Sequence, residues 1–242
     1  LGISPLVVGL TVVAFDTSAP ELLVCLDANA NGDPGMALGN VIGSNICNIA
    51  LILGVGALMR PIVINKQIIK REVPILVLAT IVFIAMLIGT GSDAGERGIM
   101  RWEGAVLTLG IVVYVVSSFL LSKKESEDSS DDFSEEDVKA ARKAGASKIF
   151  ISVGLIVIGL VGLKFGSEKL VEHGKDLAIL LGVEPAIIAL LLIAFGTSMP
   201  ELATSVVAAR KGQGDIITGN AVGSCIFNLL AVIGITALVK PI

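Results

Sequence analysis

Two stretches of this chain, GLTVVAFDTSAPELLVCL at 9–26 and LLIAFGTSMPELATSVV at 191–207, place a glutamate, a Thr-Ser pair and a proline inside otherwise apolar sequence. Glu21 and Glu201 are the costly members. Even on the forgiving insertion scale an ionisable side chain at the bilayer centre costs at least about 2.5 kcal/mol, and such groups face a cavity or pathway. The prolines act on the backbone. Pro20 and Pro200 lack an N–H, so the carbonyls of Asp16 and Gly196 lose their helical partner. In hydrocarbon a freed carbonyl needs another partner; a dehydrated cation is one, and a kink healed by hydroxyls or water is the plain alternative. Two further segments, GNVIGSNICN at 39–48 and GNAVGSCIFN at 219–228, carry Asn40, Ser44 and Asn48, and Asn220, Ser224 and Asn228. Residues four apart on a helix drift by only about 40° per step, so each trio forms one polar stripe. Their glycines read as small faces for close helix approach. Together the four segments offer two carboxylates, hydroxyls, amide oxygens and freed carbonyls. That all-oxygen set suits hard cations such as calcium or sodium, whereas zinc and copper prefer His and Cys. Two ionised glutamates offset one divalent ion or two monovalent ones, which is the arithmetic of an exchange site.

The elements that must hold these groups are membrane helices. Of 242 residues, 54% are hydrophobic and 17% charged, with mean hydropathy +0.87, against a charged fraction of about a quarter in soluble domains. Seven apolar blocks occur near 4–28, 36–58, 73–90, 103–121, 149–166, 184–209 and 216–239. About 20 residues of helix cross the hydrocarbon, so the sequence predicts an all-α integral membrane protein with the lipid bilayer as its solvent. Residues 122–148 form an acidic linker between a first half, 1–121, and a second half, 149–242. Its start is Ser-rich and acidic and is expected to be disordered, with Ser134 capping a short helix. It lacks the ligand spacing of an EF-hand loop. Segment 123–148 holds 8 of the 22 acidic and 6 of the 18 basic side chains, so the rest is near balance and nucleic acid gains no support as a partner. Cys25, Cys47 and Cys225 read as small core residues rather than a disulfide or zinc framework.

An offset of 180 residues aligns 1–62 with 181–242 without a gap and with 24 identities. Five crossings separate the first block from its copy. An odd number means that the copies enter the membrane in opposite directions, an inverted-topology repeat of the kind found in secondary transporters. The repeat predicts one more helix before the first block and two after the last, so the seven blocks read as part of a five-plus-five protein. The connections near 60–71, 123–148 and 210–211 carry 4, 6 and 2 of the Lys and Arg residues, leaving 6 elsewhere, which places the linker in the cytoplasm.

The segments GLTVVAFDTSAPE with GNVIGSNICN, and LLIAFGTSMPE with GNAVGSCIFN, resemble the two α-repeats of the calcium/cation antiporter superfamily, closest to the prokaryotic type of its sodium/calcium exchanger family. The resemblance spans all seven blocks. It implies ten helices in the plasma (inner) membrane, no cofactor, and alternating-access exchange of calcium against more than two sodium ions. Carried over residue by residue, it implies that Glu21 and Glu201 are the central ligands and that Asn48 and Asn228 join them. Ser18, Ser198, Ser44 and Ser224 become flanking sodium ligands, with carbonyls of Ala14, Thr17, Ala194 and Thr197. Asp16 stands where the family and the second repeat have Gly, as an extra ligand, a selectivity change or an obstacle at the hinge. Cys225 stands where the pattern has Asn, and Asn228 where some exchangers have Asp.

Other functions compete with this one. Buried carboxyls can trade calcium for protons, and sodium dependence separates that reading. A passive cation channel would use the same oxygens but needs a continuous pore, and a scaffold with polar glue predicts no ion-specific effect. No Ser/His or metal set accompanies the acids, which argues against an intramembrane enzyme. His173 reads as a polar helix end, Trp102 as an interfacial anchor and Tyr114 as a lipid or packing contact. Glu72, Glu103, Glu168 and Glu184 read as solvated helix ends. Asp27 and Asp215 fall where an ion vestibule would open.

Overall fold

The computed structural model describes residues 5–89, 98–128 and 193–242, with nine single positions between 154 and 182. Most of the block at 149–166, the start of that at 184–209, most of the linker, the cap at Ser134, and Glu168 and Glu184 lie outside the described residues. The regular structure described is all helical, with no strand among these residues. Five helices are long and apolar enough to span a membrane: α1 (Leu6–Ala30), α2 (Pro34–Met59), α3 (Ile68–Gly89), α4 (Arg101–Leu121) and α6 (Gly214–Val239). Between the last two lies α5, a short piece Ala194–Thr197 continued by Met199–Lys211. The helix of α4 extends to Asp128, past the expected start of the linker.

The inverted repeat is visible in matched local structure. The α1–α2 turn uses Gly32 at φ 84°, and the α5–α6 turn uses Gly212 at φ 73°. In each, the next residue donates back to the preceding helix, Asp33 to Ala28 and Gln213 to Ala208, both at 2.9 Å. This is the Gly-terminated helix end that a positive φ makes possible. Asp33 also caps α2 by accepting from the Met36 N–H at 3.0 Å. At their far ends α2 and α6 stop alike, with Arg60 donating to Gly56 at 3.0 Å and Lys240 to Thr236 at 3.1 Å, each before a proline. The two copies point oppositely. Arg60 lies against Gly212 in the second repeat's turn, whereas Asn29, beside the first repeat's turn, exchanges bonds with Lys240 at 2.7 and 2.9 Å.

Helix α6 is the packing centre. Residues 217–234 are buried throughout, whereas α3 and α4 present mostly apolar outer faces. Close approach depends on glycine. A Cβ on Gly223 would stand 2.7 Å from the Leu10 carbonyl oxygen, and one on Gly219 3.0 Å from that of Leu6. The small faces expected at 219 and 223 therefore pack against α1. A second contact of this type joins α4 to α6, where a Cβ on Gly104 would lie 2.7 Å from the Gly234 carbonyl oxygen.

Two expectations are corrected. Glu72 and Glu103 sit near helix starts but are buried, not solvated. Glu103 accepts from the Met100 N–H at 2.8 Å and so caps its own helix. Glu72 accepts from the Tyr114 hydroxyl at 2.9 Å and faces Arg71 at 3.4 Å, while Arg71 donates to Ser118 at 2.6 Å. Of the two expectations for Tyr114, packing holds: it is a buried tie between α3 and α4. Trp102 is exposed, as an interfacial anchor would be, and His173 is exposed too.

Candidate cation site between the repeats

The proline prediction holds in both copies. Helix α1 is interrupted at Ser18 (φ −83°, ψ 1°) and α5 at Ser198 (φ −84°, ψ 6°), and each restarts with Pro as its second residue. The break turns Thr17-Ser18 and Thr197-Ser198 toward the opposite repeat. Thr197 stands 3.1 Å from Oδ1 of Asn40 and 3.2 Å from the Ser44 hydroxyl. Thr17 stands 3.3 Å from Oδ1 of Asn220 and 3.4 Å from Ser224. Each broken helix is therefore stitched to the second helix of the other copy.

Asn40 and Asn220 have their other ends engaged as well. Asn40 reaches Cys25 Sγ at 3.4 Å, and Asn220 reaches Ser205 Oγ at 3.4 Å and the Glu201 carbonyl at 3.3 Å. Positions 25 and 205 are equivalent under the 180-residue offset. These asparagines brace the site rather than line it, and the bracing role of Cys25 and Ser205 was not anticipated. The matched spacing 25/40 and 205/220 was the available signal.

The remaining residues are oxygen-rich and underemployed. Glu21, Asn48, Glu201 and Asn228 are wholly buried. Oε1 of Glu21 accepts from the Ser198 hydroxyl at 3.3 Å, but Oε2 has no partner. Both oxygens of Glu201, Oγ of Ser18, Oδ1 of Asn228 and both polar atoms of Asn48 have none either. Thr197, Ser198 and Ser44 surround Glu21, and Thr17 and Ser224 stand by Glu201. Leaving one buried polar group unsatisfied costs about 1–3 kcal/mol. Such a concentration of orphaned oxygens is what a cation-binding cavity requires. The Ala14 carbonyl accepts from the Ser18 N–H at 3.0 Å, and that of Ala194 from the Ser198 N–H at 3.1 Å and from Ser44 at 3.5 Å. Among the described residues no group of three or more His, Cys, Asp or Glu gathers, so hydroxyl and amide oxygens must complete any coordination.

Asp16 is only half-buried. Asp215 lines an open cavity of about 510 Å³ with Arg60, Asn65 and Gly212, at the end where α2 meets the α5–α6 turn. Asp27 is exposed. Cys25 and Cys225 are buried and Cys47 half-buried, all as free thiols. Asn45, which no spacing argument singled out, lies beside Asn228.

A duplicated, oppositely oriented helix bundle enclosing two carboxylates and a set of neutral oxygens defines a cation transporter of the inverted-repeat class. The sequence model for the family described as sodium/calcium exchanger protein matches residues 1–120 and 151–242. The chain belongs to that family, and with it to the cation antiporters, a family of transporters rather than enzymes. It is 34% identical to the inner membrane protein YrbG of Escherichia coli (strain K12) over 241 residues, covering 99% of this chain and 71% of that protein. It is 29% identical to the sodium/calcium exchanger MaX1 of Methanosarcina acetivorans over 264 residues, covering 100% and 75%. Among solved structures, the sodium-calcium exchanger NCX_Mj soaked with 10 mM Na+ and zero Ca2+ superposes with a TM-score of 0.74 at 31% identity, covering 100% of this chain and 73% of that one.

Proposed function

We propose that this protein exchanges calcium for sodium by alternating access, binding both ions in turn between its two repeats. The observation that carries the reading is the set of buried, unpartnered oxygens on Ser18, Glu21, Asn48, Glu201 and Asn228. In this reading Glu21 and Glu201 are shared by both ions. Asn48 and Asn228 complete the calcium shell, and Ser18, Ser198, Ser44 and Ser224 flank it as sodium ligands. The carbonyls of Ala14, Thr17, Ala194 and Thr197 join as hydroxyl hydrogens give way to the ion. Sodium coupling is supported by the lining of neutral hydroxyls, which suit a monovalent hard cation, and by the names of MaX1 and NCX_Mj. Asp16 borders the broken helix and modifies selectivity rather than completing the shell. The protein sits in the inner membrane, with 122–148 in the cytoplasm, supported by the Lys and Arg distribution and by the name of YrbG.

Calcium/proton antiport is the second reading. One observation favours it: neither oxygen of Glu201 receives a hydrogen bond, so either can take a proton. Proteoliposomes loaded with sodium or with choline separate the two. Calcium uptake that needs internal sodium supports sodium exchange; uptake from choline vesicles that disappears when a pH gradient is collapsed supports proton exchange.

A further inference from the structure

An amide ligand can present either of two ends to a cation, and only its oxygen binds. Something must decide which end faces the ion. At Asn228 the choice is made by Asn45. Nδ2 of Asn228 donates to Oδ1 of Asn45 at 3.1 Å, while Oδ1 of Asn228 is buried with no partner. Asn45 lies on α2 in the first repeat and Asn228 on α6 in the second, so the contact crosses between the copies. Both Asn48 and Asn228 fall where the helix widens into a π-turn, at Cys47–Ile52 and Asn228–Val232. Such turns displace a side chain from the α register and recur at functional sites.

The equivalent device is weaker on the other side. Under the 180-residue offset Asn45 corresponds to Cys225. The Cys225 thiol donates to the Asn45 carbonyl at 3.8 Å and meets the Asn48 amide only in a weak thiol–amide contact that falls short of hydrogen-bond geometry. A thiol is a weak donor and a weak acceptor and holds an amide poorly. The repeat is therefore asymmetric at its two amide ligands.

We infer that Asn45 is a positioning residue that fixes the Asn228 amide with its oxygen toward the cation, while the thiol at Cys225 holds Asn48 only weakly. This rests on the reading of Asn228 as an ion ligand. Groups that orient a metal ligand affect affinity by about 10–100-fold when removed. The effect belongs in ion affinity and not in turnover, because the oriented amide acts only when the ion binds.

The test is calcium/calcium exchange, which does not involve the coupling ion. Uptake of radiolabelled calcium is measured into proteoliposomes loaded with unlabelled calcium, across a calcium series. Asn45→Ala is expected to raise the KM for calcium about tenfold with unchanged maximal rate. Asn228→Ala raises KM at least as much, and the double variant is no worse than Asn228→Ala alone, because the two act as one unit. Asn45→Asp keeps an oxygen that can accept only from the N–H end, and so holds KM near or below that of the unmodified protein. An unchanged KM in Asn45→Ala beside a raised one in Asn228→Ala overturns the proposal. So do multiplying effects in the double variant, or an Asn45→Asp protein as weak as Asn45→Ala. An unchanged KM in Asn228→Ala overturns the ligand reading itself, a result distinct from failure of Asn45 alone.

Discussion

The hydroxyl of Ser198 donates to Oε1 of Glu21 at 3.3 Å, joining the break in one repeat to the carboxylate of the other. The Glu21 side chain is thereby held with its second oxygen free. Ser198→Ala removes both this restraint and a flanking oxygen. Calcium affinity should fall about tenfold without loss of transport, the scale seen when a group supporting a metal ligand is deleted. Uptake rates at graded calcium concentration check this.

Two buried carboxylates with no cationic partner among the described residues destabilise the ion-free protein, and a bound cation relieves them. Calcium at 100 times its dissociation constant should stabilise the fold by about 2.7 kcal/mol. Melting in detergent should therefore move upward with calcium and downward with a chelator. For Glu21→Gln and Glu201→Gln the calcium shift should vanish. Their ion-free melting should match or exceed that of the unmodified protein, since an uncompensated buried charge has been removed.

Gly223 faces the Leu10 backbone so closely that a Cβ has no room, at 2.7 Å from its carbonyl oxygen. Gly54, on α2, has nothing within 4 Å of the same atom. Gly223→Ala should cost about 1–3 kcal/mol through displacement of α1 from α6. Gly54→Ala should be tolerated. Thermal unfolding of the two variants in detergent makes the comparison.

The buried tie between α3 and α4 makes a different prediction. Tyr114→Phe removes the 2.9 Å donor to Glu72 and leaves a buried carboxylate dependent on Arg71. Stability should fall by about 1–3 kcal/mol. The calcium KM should not move, because this pair lies outside the cation site.

Much of the architecture was written in period and duplication. Length and hydropathy located the five spans seen among the described residues, the 180-residue offset the inverted pair, and Pro20 and Pro200 both breaks. The site was legible because carboxylates and hydroxyls inside apolar sequence have few structural explanations. What escaped was set by side-chain contacts between distant segments. Glu72 and Glu103 looked like solvated helix ends because sequence gives distance from a helix terminus but not depth beneath a neighbouring helix. Gly104 and Gly234 gave no paired signal, since their spacing matters only once α4 lies on α6. Asn45 was hidden among stronger motif residues, and its role depends on a bond to a residue 183 positions away.

The central claim is that ions cross through Glu21 and Glu201. Its most direct test is radiolabelled calcium uptake into sodium-loaded and choline-loaded proteoliposomes, for the unmodified protein and Glu201→Gln. The account predicts uptake from sodium-loaded vesicles, driven against the calcium gradient, and its loss in Glu201→Gln. Undiminished uptake by Glu201→Gln would contradict it.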